Sequence, residues 1–439
     1  MSANLSNDPN ITFKRKSFAL AFVILVALPP LFIYYKNSSD TKTVNLNRPA
    51  AKTWFHRFNK SDADGVHSIV QTKKGYLVLG DTAPSDRNCF VKGMDFDAKE
   101  LWNKVLQSNV NRTIPMGLEL DTTYLVSYRS ILGDKRQKAS VITGFSVRID
   151  KQTHRIVDRS PKVFKTITPS TKGYIASGEH NKLFSYDKDG LLLWEKSYSH
   201  GDFFTGVASG VRYEISRGKI LKVMAVEENN FFVLGRARLS GASRGSPWLF
   251  KLDSSGEVLW EKTLQNPYAY PSDAIFTKDG GYLVLLSDSN HHQIHLKKYD
   301  KNGTLLWSQS YRNQKSLSWH MAQMGDGSYI VTGSTHQKKS VKIMWLLKID
   351  QKGQLLWQKK RRSEIGDFPT AIISTLDGGV LIGGQTTKQG YRVKKMYKGH
   401  LLNQFKLLEE GAWLLKLDAN GESSDEAFTF ESTQEWKEI

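Results

Sequence analysis

One repeat constrains this chain more than any other feature. An apolar strand led in by a turn occurs seven times: "KGYLVLG" (74–80), "TTYLVSY" (122–128), "KGYIASG" (172–178), "NNFFVLG" (229–235), "GGYLVLL" (280–286), "GSYIVTG" (327–333) and "GGVLIGG" (378–384). Their third residues are spaced by 47 to 57 positions. The 439 residues would otherwise suggest two or three unrelated domains, but a steady period with several strands per unit specifies one ring of blades.

Within 273–311 four strands can be drawn, "DAIFTK", "GYLVLLSD", "IHLKKYD" and "TLLWSQSY", with "KDGG" and "DKNG" as tight turns. Gly supplies positive φ in such turns, and Asp closes them on its own backbone. The second strand is apolar at successive positions, as expected of a sheet covered on both faces. A second marker is Trp102, Trp194, Trp260, Trp307 and Trp357, each seven residues after an Asp. One large rigid side chain per blade explains it as architecture. Burying roughly 150–250 Å² at about 25 cal/mol per Å² sets an upper bound of roughly 4–6 kcal/mol for each. A calcium reading of "DKDG" lacks the rest of the ligand loop and its closing Glu. "KTWFHRF" (52–58) reads as a last strand without a unit, and the final unit lacks one. The expectation is an all-β, seven-bladed β-propeller closed by its N-terminal strand, with eight blades as the alternative.

The other strong signal is at the start. Lys14, Arg15 and Lys16 precede an uncharged apolar run over 18–35. As a helix it spans about 27 Å, against about 30 Å of hydrocarbon. A transmembrane signal anchor is expected at 17–35, with 1–16 cytoplasmic because positive flanks stay inside; a cleaved signal peptide is the competing reading. Residues 36–52 read as a stalk, 53–430 as the propeller and 431–439 as a tail. The propeller is then expected on the periplasmic side of a bacterial inner membrane.

The net charge of +19 calls for an anionic partner. DNA and cytosolic RNA are poor candidates across a membrane. The lone cysteine, Cys89, permits no internal disulfide and has no base at nucleophile spacing. Three stretches depart from the repeat: 127–140, 210–222 and 388–408. The last, "KQGYRVKKMYKGHLLNQFKLL", presents Lys388, Tyr391, Arg392, Lys394, Lys395, Tyr397 and Lys398, with no acid before Glu409. It is the candidate contact for a protein or an anionic envelope polymer, the alternative being a solvated loop. "KKRR" (359–362) reads as protection of a sheet edge. His291, His292 and His295 lack a carboxylate or Cys partner, so no metal site is assigned. His67, Asp273 and His320 fall near the start of innermost strands and are the candidates for a channel-mouth cluster, although a one-residue slip would reverse their faces. No catalytic residue and no cofactor is assigned.

The combined pattern, "DGGY" followed by "WLxKxDxxGxxxWxK", resembles the repeat of bacterial secreted and membrane-attached β-propeller proteins over about 53–430. It is distantly similar to the tryptophan-docking repeat of pyrroloquinoline-quinone (PQQ) propellers, which implies Trp packing between blades. Cofactor-dependent members of that superfamily hold quinone and Ca²⁺ with further acidic, Asn and Arg residues, and are usually eight-bladed. None of those residues can be placed on this sequence. The functional expectation is a non-catalytic binding or scaffold module. The alternative is an enzyme with a channel-mouth site, either a quinoprotein-like oxidoreductase or a polysaccharide-active hydrolase or lyase.

Overall fold

The computed structural model describes residues 52–432 apart from 59–64, 83–87, 108–112, 134–139, 200–202, 209–210, 217, 238–245, 265–268, 289–292, 313–315, 337–341, 362–366, 387–389, 398–399, 408–410 and 425–430. For 203–216 and 390–407 it describes the backbone alone. The anchor expected at 17–35 lies outside these residues, as do His291, His292, Lys388 and Lys398. Among the described residues no helix is long and apolar enough to cross a membrane.

Seven antiparallel sheets follow one another as blades, the first six running in chain order from an inner to an outer strand, with Glu431–Ser432 added outside the sixth. The inner strands are Gly65–Thr72, Thr113–Glu119, Thr166–Ser170, Lys219–Ala225, Ala269–Phe276, Ser316–Gln323 and Asp367–Ser374, and they open blades 1 to 7. Each meets the inner strand of the next blade, and the seventh meets the first, so the ring is closed. The outer strand of blade 7 is the N-terminal segment Trp54–Arg57, paired antiparallel with Gly411–Leu417. The expected clasp thus exists, and seven blades complete the wheel.

Seven buried apolar clusters fill the seven joints, one between each pair of neighbouring blades. The second strands feed them from both faces: Gly75–Asp81 is buried throughout its length. The most enclosed indoles are ones the repeat marker did not pick out. Trp248, Trp345 and Trp413 lie on third strands and are essentially inaccessible. Each faces a glycine across the ladder, Gly235, Gly333 and Gly384. A Cβ at Gly384 would sit 2.2 Å from the Trp413 ring, so the missing side chain makes the indole's space.

Candidate functional site

The recurring Trp of each outer strand sits on the third-to-fourth-strand turn of the next blade. Trp194 Nε1–H donates to the Ser254 carbonyl at 2.9 Å, and Trp307 Nε1–H to that of Gln351 at 3.0 Å. Trp54, from the clasp, donates to the Phe96 carbonyl at 3.0 Å. Trp102 stacks on His154, with ring centroids 4.5 Å apart, while Trp260 and Trp357 lie against Gly303 and Gly421. The turns are shaped to receive them. Asp300 Oδ1 accepts the amides of Asn302 and Thr304 at 2.9 and 2.7 Å, and Gly303 takes φ +81°. These indoles are half-buried, so each contributes about half the full-burial bound. They gather around no common centre, and the motif is architecture.

Two lysine groups belong to the same framework. Lys298, Lys348 and Lys416 are buried and reach the first turn of their own blade, at Asp279 (2.6 Å), Asp326 (2.9 Å) and Asp377 (2.9 Å). Burial pushes Lys298 and Lys416 below the usual lysine value despite these partners. For the three aspartates burial pushes upward, but the ammonium and a neighbouring hydroxyl or amide outweigh it, so each carboxyl is held below its ordinary range. The "KKRR" stretch corrects the edge-protection reading. Lys359 is buried and donates to the carbonyls of Asn420 and Gly421 at 3.0 and 2.9 Å in blade 7. The edge itself is covered by chain, because Glu431–Ser432 pairs with Lys360 and Lys359.

Of the channel candidates, the structure brings Asp273 and His320 together and leaves His67 apart. Inner strands of blades 1, 4, 5, 6 and 7 carry a register shift near their start. Counted from the ladder, Lys222, Asp273 and His320 occupy the same step on blades 4, 5 and 6, opposite Leu234, Leu285 and Thr332. His67 falls in the bulge of blade 1 and bonds Asp81 at 2.9 Å. Asp273 is buried: its Oδ1 accepts from Lys222 Nζ at 2.6 Å and Ala274 N–H at 2.8 Å, and its Oδ2 from Met321 N–H at 3.0 Å. Burial lowers the His320 pKa, Asp273 opposes that, and Lys222 adds to it. Lys222 was missed in the sequence, although aligning the repeats on the second strand and allowing for the bulge would have found it.

The hairpin at 388–408 is a two-stranded ribbon, Gly390–Tyr397 with His400–Leu407, between the second and third strands of blade 7. A second ribbon, Phe203–Ala208 with Val211–Ser216, joins blade 3 to blade 4. A third excursion lengthens the second and third strands of blade 2, Thr123–Gly133 and Ser140–Asp150. Antiparallel order places second-to-third and fourth-to-first links at one end of every blade and the tight turns at the other. All three excursions therefore leave from one end of the ring. The candidate residues Tyr391, Arg392, Lys394, Lys395 and Tyr397 belong to the first strand of the blade 7 ribbon.

The family model described as outer membrane protein assembly factor BamB (PQQ_2) matches residues 186–367, from the end of blade 3 to the start of blade 7. Over those residues the repeat of this seven-bladed propeller is similar to that family. No curated protein matches it. Among solved structures, a protein of unknown function from Bacteroides caccae is 14% identical, covering 69% of this chain and 93% of its own, with a TM-score of 0.38. BBS1N, in a complex with ARL6DN, is 9% identical, covering 83% and 97%, with a TM-score of 0.43. Likenesses of that depth say nothing of ligand or partner. Around Asp273 the residues do not fit a quinone–Ca²⁺ centre. Both Asp273 oxygens are taken by N–H donors, and a cation there would lie against the Lys222 ammonium.

Proposed function

We propose that this chain is a membrane-anchored, extracytoplasmic binding module whose propeller docks a protein partner on the end that carries the three excursions. The placement of those excursions carries the reading. A rigid ring closed by tight turns at one end presents long links at the other, where recognition can vary without disturbing the blades. The hairpin spanning 388–408 has six Lys or Arg and is the part that meets an acidic surface on the partner. The family description matched by 186–367 names an assembly factor for outer membrane proteins, which supports a protein as partner. The anchor rests on the apolar run at 18–35 and the lysines and arginine before it. Trp54 pairs near the end of the third strand that leads into the Asp418 turn, so the chain enters the ring at the end opposite the excursions.

The test is co-purification of the solubilised full-length protein, with and without 388–408. Thr386 and Gly411 are ladder partners, so the deletion closes across an existing pair and the blade is retained. A stoichiometric partner lost on deletion, with the melting temperature unchanged, is the expected result. The same partner in the same amount on both forms would overturn the assignment. A reporter fused after Lys52 tests the orientation, and activity of a cytoplasm-only reporter would reverse it.

A further inference from the structure

We infer that Lys222, Asp273 and His320 form a site on the axial wall of the ring for a small ligand carrying a carboxylate or phosphate group. The ring supplies its own controls. At the same ladder step the other four blades hold Ser68, Met116, Thr166 and Ala371. Those blades close the wheel equally well, so ionisable groups at this step are not needed to build it. Three successive blades nevertheless carry a cation, a carboxylate and an imidazole there. Two other joints make their inner-strand ties with hydroxyls instead: Thr168 donates to the Val223 carbonyl at 2.7 Å between blades 3 and 4, and Thr370 to that of Val66 between blades 7 and 1.

The roles follow from the bonds. Asp273 is pinned by two backbone amides, one of its own blade and one from blade 6, and so cannot swing. It fixes the Lys222 ammonium by one N–H. The Lys222 side chain keeps 36% of its surface, which leaves its remaining donors open to an incoming oxyanion. His320 is half-buried on blade 6, next to the blade of Asp273, and neutral near pH 7, because burial and Lys222 outweigh Asp273. Asp273 and Lys222 are the charged groups that act on it. Lys222 and Asp273 cancel, so an arriving anion brings one uncompensated charge to a poorly solvated place. A proton taken up by His320 cancels it and turns the ring into a second donor. Binding and proton uptake are thus coupled.

Isothermal titration of the full-length protein with inorganic phosphate, and separately with acetate, tests this near neutral pH in two buffers of different protonation heat. Saturable single-site binding to one anion is expected, with a buffer-dependent heat that reports proton uptake, and the better-bound anion identifies the ligand's acidic group. Lys222→Thr weakens binding about tenfold or more, the loss of one charge-assisted contact. His320→Ser retains weaker binding and loses the buffer dependence. Both variants install residue types that blades 3 and 1 hold at this step, which protects the fold. No saturable heat with either anion would overturn the inference. So would an unchanged affinity in Lys222→Thr, or an unchanged buffer dependence in His320→Ser. Deletion of 388–408 leaves this affinity intact, so the axial site and the hairpin reading stand or fall separately.

Discussion

Blades 5 to 7 and the joint between blades 2 and 3 build the same wall from different parts. In the first arc every element of the repeat is in place: a turn Asp bonded to a buried Lys, and an outer Trp or its clasp equivalent on the next turn. In blade 2 the Trp position holds Asp158, opposite Arg148 in the ladder. Arg148 sits where the indole would, its guanidinium 2.0 Å from a Cβ placed on Gly190. The joint is filled instead from the link between blades. Phe164 is buried there among Leu118, Leu125, Tyr174 and Tyr186, and its amide is held by Ser127 Oγ at 2.9 Å. The BamB-like match begins at Tyr186, one of the residues that line this joint. A blade joint therefore needs a fixed buried volume more than a particular residue.

The comparison breaks most sharply at Phe164. Phe164→Ala removes the ring that substitutes for the missing Trp and is expected to cost about 3–5 kcal/mol in denaturant unfolding. Trp307→Ala, in the regular arc, removes a half-buried indole and its bond to Gln351, and should cost about 2 kcal/mol. If the two losses were equal, the irregular joint would not be leaning on its linker.

Acid separates the arcs next. Asp279, Asp326 and Asp377 have carboxyls held below the ordinary range in the folded state. The unfolded chain then binds more protons than the native one between the folded value and about 4. The stability these pairs contribute is present above that window and is lost as pH falls through it. Amide protection, corrected for the intrinsic rate at each pH, should therefore fall in blades 5 to 7 on acidification before it does in blades 2 and 3. Asp→Asn at the three positions should flatten that difference.

Much of this was legible. The turn Asp and Gly, the apolar second strands and the orphan "KTWFHRF" specified seven blades and a clasp, because each is a local signal repeated at a steady period. The partnerships were not. Lys298 and Asp279 stand 19 residues apart, and only the folded hairpins show that one reaches the other. Asp273 and His320 were visible as candidates together with His67, yet Lys222 was not, because the register shifts on these inner strands insert residues that alternation cannot reveal. Lys359 was read as protection of a sheet edge, since nothing local says that its stem crosses to the next blade.

The finest discrimination is a graft. In blade 3 the residue opposite Trp194 is Ser185, and the indole lies over Gly256 of blade 4. Installing that pair in blade 2, as Arg148→Ser with Asp158→Trp, removes the guanidinium from above Gly190 and offers the turn an indole. Gly190 already has φ +88°, and Asp187 already accepts the amides of Asp189 and Leu191 at 3.0 and 2.8 Å, so the receiving turn is preformed. A half-buried Trp in place of Asp158, with the Arg148 guanidinium removed, should raise stability by about 1 kcal/mol. The same graft in a Phe164→Ala background should recover more than that, because the indole would enter a joint with volume to spare. Equal gains in both backgrounds would mean that Phe164 and the missing Trp do separate work, and that blade 2 is an exception to the repeat without being a substitute for it.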